Sequence, residues 1–95
     1  MTPKLKAQAG TFESSDIMIL IEPVEKDSGR KVDISSTVML QFEEDIKKTI
    51  SDVLDELQIK DLHLIAKDKG ALTQTIKARV ETAIKRSLGI QEGTM

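Results

Sequence analysis

Ile17-Met18-Ile19-Leu20-Ile21 is a run of five apolar residues closed by Asp16 on one side and by Glu22 and Pro23 on the other. Its length, its three isoleucines and its flanking breakers point to a strand, since a buried helix needs a longer run. Both faces of that strand are apolar, which places it centrally in a sheet covered on at least one side. Upstream, the polar cluster Glu13-Ser14-Ser15-Asp16 separates it from the short segment Gly10-Thr11-Phe12, so a hairpin is the natural reading. Downstream, Glu25 to Arg30 forms a turn in which Gly29 is free to take a positive φ. Lys31-Val32-Asp33-Ile34 then alternates polar and apolar as a third strand with one wet face, and Leu62, Leu64 and Ala66 alternate with His63, Ile65 and Lys67 as a fourth.

Two stretches carry helical periodicity instead. Met39, Phe42, Ile46, Ile50, Val53 and Leu57 recur at spacings of three or four, predicting an amphipathic helix over 38–57 with Ser35 or Ser36 as its N-cap. Leu72, Ile76, Val80, Ile84 and Leu88 recur at spacings of four. They predict a second helix, with Asp68 as its cap, Gly70 in its first turn and Gly89 as its stop. The order is β-β-β-α-β-α. The expected fold is α+β: a two-layer sandwich of a mostly antiparallel four-stranded sheet with two helices on one face. Residues 1–8 read as a flexible N-terminal arm, 9–89 as the domain and 90–95 as a flexible tail.

A chain of 95 residues and 10.5 kDa allows one small core. Its formal charge of −2 gives no bulk positive field to recruit nucleic acid. There is no cysteine and a single histidine, His63, so disulfides, thiolate nucleophiles and His-rich metal sites are excluded for this chain alone. Phe12 and Phe42 are the only aromatic residues, which argues against base-stacking platforms. No apolar run approaches the roughly 20 residues of a membrane span, and the N-terminus has no signal-peptide core. His63 reads as a surface or structurally bonded histidine, and Met18 and Met39 as core filler. The expectation is a cytoplasmic, non-catalytic domain without metal, membrane or nucleic-acid partner.

Charge is nonetheless uneven. Residues 43–61 hold seven acids and three bases, whereas 67–86 hold six bases and two acids. Two solvated helix faces with i,i+4 pairs explain this, and so do two docking surfaces of opposite sign. The basic group Lys67, Lys69, Lys77, Arg79, Lys85 and Arg86 has no interleaved aromatic, and the chain lacks the RNP pattern of RNA-binding sheets.

The Glu13-Ser14-Ser15-Asp16 cluster is what the fold does not need. A tight hairpin prefers Asn-Gly or Asp-Gly, so two serines mean a longer loop or one kept for its hydroxyls. An ordinary polar loop in which serine bonds its own backbone fits as well. A hydroxyl without a neighbouring base is no hydrolase nucleophile, but it can be a substrate for another enzyme that brings its own base.

Ala9-Gly10-Thr11-Phe12-Glu13-Ser14-Ser15-Asp16-Ile17-Met18 resembles the signature A-G-T-[LF]-E-S-[SG]-D-[VI]-M of the acyl carrier (gamma) subunits of citrate lyase, at every position. Asp68-Lys69-Gly70-Ala71-Leu72, with Ala78-Arg79 beyond it, resembles the D-D-K-G-A-L…R-A-R region of that family. There Lys67 stands in place of the first acid and Lys77 in place of the first arginine. Ser35-Ser36 and Gln41-Phe42 fit the family's helix entry, and the resemblance spans essentially the whole chain.

The resemblance implies that Ser14 carries 2'-(5''-phosphoribosyl)-3'-dephospho-coenzyme A through a phosphodiester. Ser15 is not the site, since the family tolerates glycine there. Glu13 and Asp16 would be flanking recognition residues. The implied partners are a prosthetic-group transferase (holo-carrier synthase), an acetylating ligase, and the alpha and beta subunits of the lyase. The alpha subunit exchanges acetyl for citryl on the arm's thiol, and the beta subunit releases oxaloacetate from the citryl thioester. The chain itself would be a non-catalytic carrier in citrate fermentation, offering the basic face of its second helix, Lys77 and Arg79 included, to one subunit. A recombinant sample made without the transferase would be the bare apo-protein. The related carrier of malonate decarboxylase, typically G-S-G-D without A-G-T-x-E, is the nearest alternative. A citramalate-type lyase carrier and a non-carrier protein or RNA interaction module stand behind it.

Overall fold

A computed structural model describes residues 2–37 and 43–89. Strands β1 (Ala7–Ala9), β2 (Ile17–Glu22), β3 (Arg30–Ser36) and β4 (Leu62–Asp68) form one sheet in the order β1-β2-β4-β3. Helices α1 (Glu43–Glu56) and α2 (Thr73–Ser87) complete the α+β fold. The apolar run does sit centrally: β2 pairs antiparallel with both β1 and β4, with Ile17 opposite Asp68 and Ala9 opposite Ile19.

The side-chain period of two sorts the central strands. Ile17, Ile19 and Ile21 of β2 and Leu62, Leu64 and Ala66 of β4 point to one face, where they are essentially inaccessible. Ile46, Ile50, Val53 and Leu54 of α1 and Ile76, Val80, Ala83 and Ile84 of α2 close over them as a single core cluster. Each valine, leucine or isoleucine among them contributes about 1.5–3 kcal/mol by leaving water. No helix among the described residues is long and apolar enough to cross a membrane.

The sheet is mostly antiparallel, as expected, with one parallel pair, β3 and β4, in which Val32 lies opposite Leu64. Helix α1 between them carries the chain back to its starting end, which is the connection a parallel pair requires. Ser35 and Ser36 end β3, where the Ser36 hydroxyl donates to Asp68 (2.9 Å), and the helix entry they are expected to cap lies outside the described residues. Two expectations are corrected, the first being the cap assigned to Asp68. Its carboxylate accepts the amides of Gly70 (3.1 Å) and Ala71 (3.0 Å), and α2 begins only after the extended Leu72, whose side chain therefore stays 69% exposed. The helix expected from residue 38, with Met39 and Phe42, and the tail 90–95 fall partly or wholly outside the described residues.

The second correction concerns the arm. Pro3 is buried, the amides of Lys4 (3.0 Å) and Leu5 (2.9 Å) both donate to the Ser87 carbonyl, and β1 already starts at Ala7. The end of α2 has carbonyls without intrahelical partners, and backbone N–H groups serve them whatever the side chains are, so no apolar pattern announces the contact. Deleting residues 1–6 should therefore lower unfolding stability by about 1–3 kcal/mol, from two backbone hydrogen bonds and the buried proline. Urea titration of the truncated and full chains measures it; a free arm would leave the midpoint unchanged.

Candidate functional site

Residues 10–16 join β1 to β2. Gly10 opens the loop at φ +93, and a Cβ there would lie 1.8 Å from the Ile17 carbonyl oxygen, so only glycine fits. The Thr11 hydroxyl donates to Asp16 Oδ2 (2.7 Å) and accepts the Glu13 amide (3.2 Å). The Asp16 amide donates to the Glu13 carbonyl (3.2 Å), closing a turn around Ser14 and Ser15. Ser15 takes the left-handed conformation, φ 65.

Two further segments clamp this loop. The Ser15 amide donates to the Lys69 carbonyl (2.8 Å), and the Lys69 amide donates to the Asp16 carbonyl (2.9 Å), so the β2–β4 ladder continues past Ile17 and Asp68. From α2, Arg79 reaches the Asp16 carboxylate as a fork, Nε to Oδ1 and Nη2 to Oδ2, each at 3.0 Å. Asp16 Oδ1 also accepts the Ile17 amide (2.7 Å). The three stretches that matched in sequence, 9–18, 68–72 and 78–79, are thus hydrogen-bonded together at one end of the sheet.

Asp16 is buried. The Arg79 guanidinium holds its carboxyl at about 2, against burial, which pushes the other way; Thr11 and the Ile17 amide add to the lowering. Every buried side-chain nitrogen and oxygen among the described residues has a hydrogen-bond partner. Ser14 and Ser15 are both exposed, and neither hydroxyl makes a hydrogen bond among the described residues; what separates them is that the Ser15 backbone is bonded to Lys69 and held at a positive φ. Glu13 is exposed beside Ser14.

Of the expected site residues, Ser14 and Glu13 therefore face solvent, while Asp16 is turned inward and shapes the loop instead of presenting itself. Arg79, expected on a partner-facing surface, is committed to Asp16, and Arg86 donates to the Gln8 carbonyl (2.8 Å), which leaves Lys77 as the exposed base on that part of α2. His63 is bonded as expected, Nε2 to Asp33 Oδ2 at 2.8 Å. The Arg79–Asp16 fork was missed although its signal was present: an acid at the mouth of an apolar strand needs a cation, and an arginine in another matching block was the natural donor. Among the described residues no cluster of histidine and acidic side chains could hold a metal ion.

A family model described as malonate decarboxylase delta subunit (MdcD) matches residues 4–87. A citrate lyase acyl carrier protein of Treponema denticola is 46% identical over 87 residues, covering 92% of this chain and 97% of the relative. Those of Edwardsiella ictaluri (46% identical, 85% of this chain and 82% of the relative) and Halothermothrix orenii (42% identical, 97% of each) are similar in the same way. Among solved structures, a chain in the crystal structure of a Pseudomonas malonate decarboxylase hetero-tetramer in complex with malonate shares the fold, with a TM-score of 0.72 and 18% identity. That likeness covers 90% of this chain and 87% of the other.

Two outcomes follow for the loop. Gly10→Ala should lose at least ~2 kcal/mol in denaturant unfolding. Gly29→Ala, also at positive φ but with nothing within 4 Å, should lose only ~1 kcal/mol. Acid should act through Asp16. Its carboxyl titrates at 3.8 when unperturbed and at about 2 in the fold, so its stabilisation is complete above the unfolded value and lost as pH falls through the folded one. Urea midpoints measured from pH 5 down to pH 2 should fall for the parent chain. Asp16→Asn should be less stable at pH 7 and show a flatter decline.

Proposed function

The chain belongs to the citrate lyase acyl carrier protein family, and on that premise we propose that Ser14 is esterified by phosphoribosyl-dephospho-coenzyme A. On that arm the chain carries acyl groups between the alpha and beta subunits of a cytoplasmic citrate lyase. The observation that carries the assignment is the contrast within the loop. Gly10, Thr11 and Asp16 are taken up by close approach or hydrogen bonds and the Ser15 backbone is tied to Lys69 at a positive φ, whereas Ser14, exposed like Ser15, makes no hydrogen bond through backbone or hydroxyl among the described residues.

The residues fit such a group. A phosphodiester needs a hydroxyl oxygen that a transferase can reach and deprotonate with its own base, and Ser14 offers one at the crown of a fixed turn. When bound, the group supplies the thiol that takes up and gives away acyl groups, which this cysteine-free chain lacks. The chain's own residues hold the root of the arm: Asp16, Arg79 and the Lys69 backbone fix where Ser14 stands. Glu13 is accessible to the attaching transferase. The acetylating ligase acts on the distal thiol and needs none of these contacts. Ser15 is disfavoured because its amide is bonded to Lys69 and its left-handed backbone is one that glycine adopts more easily.

The malonate decarboxylase description of the family model favours a second reading, a carrier for malonyl and acetyl groups. The 46%-identical relatives, named for citrate lyase, favour the first. Acyl exchange assayed with citrate and with malonate on the assembled complex separates them. Co-expression with the transferase should add the mass of the arm to the parent chain and to Ser15→Gly, and nothing to Ser14→Ala, by intact-mass spectrometry. Ser15→Gly should stay within about 1 kcal/mol of the parent in stability, since relief at positive φ offsets the freedom glycine adds to the unfolded chain. An unaltered mass increment in Ser14→Ala removes the assignment.

A further inference from the structure

Beside the Ser14 loop lies a cavity of about 200 Å³ lined by Phe12, Ser35, Ser36, Thr37, Lys67, Asp68 and Lys69. Its chemistry is unusual for this chain. Phe12 is 52% exposed, and the Lys67 ammonium stands 5.7 Å from the centre of its ring. Lys69 is exposed on the strand-like segment that clamps the loop. The one acid in the lining, Asp68, is buried with its oxygens taken by Ser36, Gly70 and Ala71. Two lysines thus face the cavity, and among the described residues its wall holds no free carboxylate. Lys67 is also where the sequence departs from the D-D-K-G-A-L pattern, a cation replacing an acid.

We propose that this cavity is a resting subsite for the nucleotide segment of the arm, with Lys67 and Lys69 against its phosphates and Phe12 beneath its adenine. The inference rests on Ser14 being the attachment point. Phe12 is two residues from Ser14, so their Cα atoms are within about 7.6 Å. The portion of the arm that can reach the cavity is the root, with its phosphodiester and adenosine; the thiol end stays free. An exposed lysine–phenylalanine contact is worth only about 0.5–1 kcal/mol, so a phosphate and a purine can displace it. Docking the root narrows the volume that the arm sweeps, and the ionic part of the hold weakens with salt.

The test uses chain whose mass shows the arm in place. With two phenylalanines in the sequence, the ring protons of Phe12 are assigned by Phe12→Leu. Between apo and holo chain the Phe12 ring and the Lys69 amide should shift, and the adenine protons should move upfield of their position in free coenzyme A. Raising salt to about 0.5 M should shrink these shifts at least about twofold. Lys67→Asp, which restores the acid of the family pattern at an exposed position, should do the same. Phe12 and Lys69 signals identical in apo and holo chain, or shifts indifferent to both salt and Lys67→Asp, would overturn the subsite while the mass increment upholds Ser14. Absence of the increment from the parent chain would overturn the attachment reading and the subsite together.

Discussion

The carboxylate of Asp16 is the point on which this end of the molecule turns. A buried carboxylate is costly, by several kcal/mol, unless its oxygens are filled by well-placed donors. Here both Asp16 oxygens are filled: Oδ1 by the Ile17 amide and Arg79 Nε, Oδ2 by the Thr11 hydroxyl and Arg79 Nη2. Those donors come from the loop, the first residue of β2 and the middle of α2. One charged group therefore fixes the relation of strand, loop and helix, and the loop cannot move without unpairing a buried ion.

A second acid repeats the device next door. Asp68, paired across the ladder with Ile17, gathers the amides of Gly70 and Ala71 and the Ser36 hydroxyl, and so shapes the segment that follows β4. The Lys69 backbone joins the two acid-centred loops through its amide and its carbonyl. A carrier with a long, mobile arm gains from such a root. Tethering raises the concentration of the acyl group at each catalytic site only if the arm's origin stands at a defined place relative to the docked partners. On the proposed function, the reach would belong to the prosthetic group and the fixed origin to the protein.

Much of this was legible in the residues. Ile17 to Ile21, the alternations at 31–34 and 62–67 and the fourfold spacing from Ile76 to Ile84 gave the elements, because burial on one face writes a period into the chain. The mostly antiparallel sheet was legible too, and its one parallel pair, β3 and β4, goes with the helix that lies between them in the chain. Other features had no side-chain signature. The anchoring of Lys4 and Leu5 on Ser87 and the bonds of Ser15 and Asp16 to Lys69 are between backbones, and a hydrogen-bond partner that distant in the chain leaves no local pattern. Asp61, buried under the amides of Asp27 and Gly29, which hold its carboxyl below the ordinary range, looked like one more acid in a charged stretch.

The signature around Ser14 divides cleanly once each letter is given its physical task. Ala9 is buried opposite Ile19, Gly10 fits where no Cβ can, Thr11 bridges to Asp16, Ser15 turns left-handed, and Asp16 binds Arg79. That leaves the side chains of Phe12, Glu13 and Ser14, consecutive and, like Thr11 and Ser15, exposed, but without a task in the loop. A motif required only for stability would have no reason to keep in solvent a phenylalanine whose burial would have stabilised the fold by about 1.5–3 kcal/mol. The architectural letters exist to hold the exposed ones out, and what the exposed ones offer is a hydroxyl flanked by an acid and an aromatic ring.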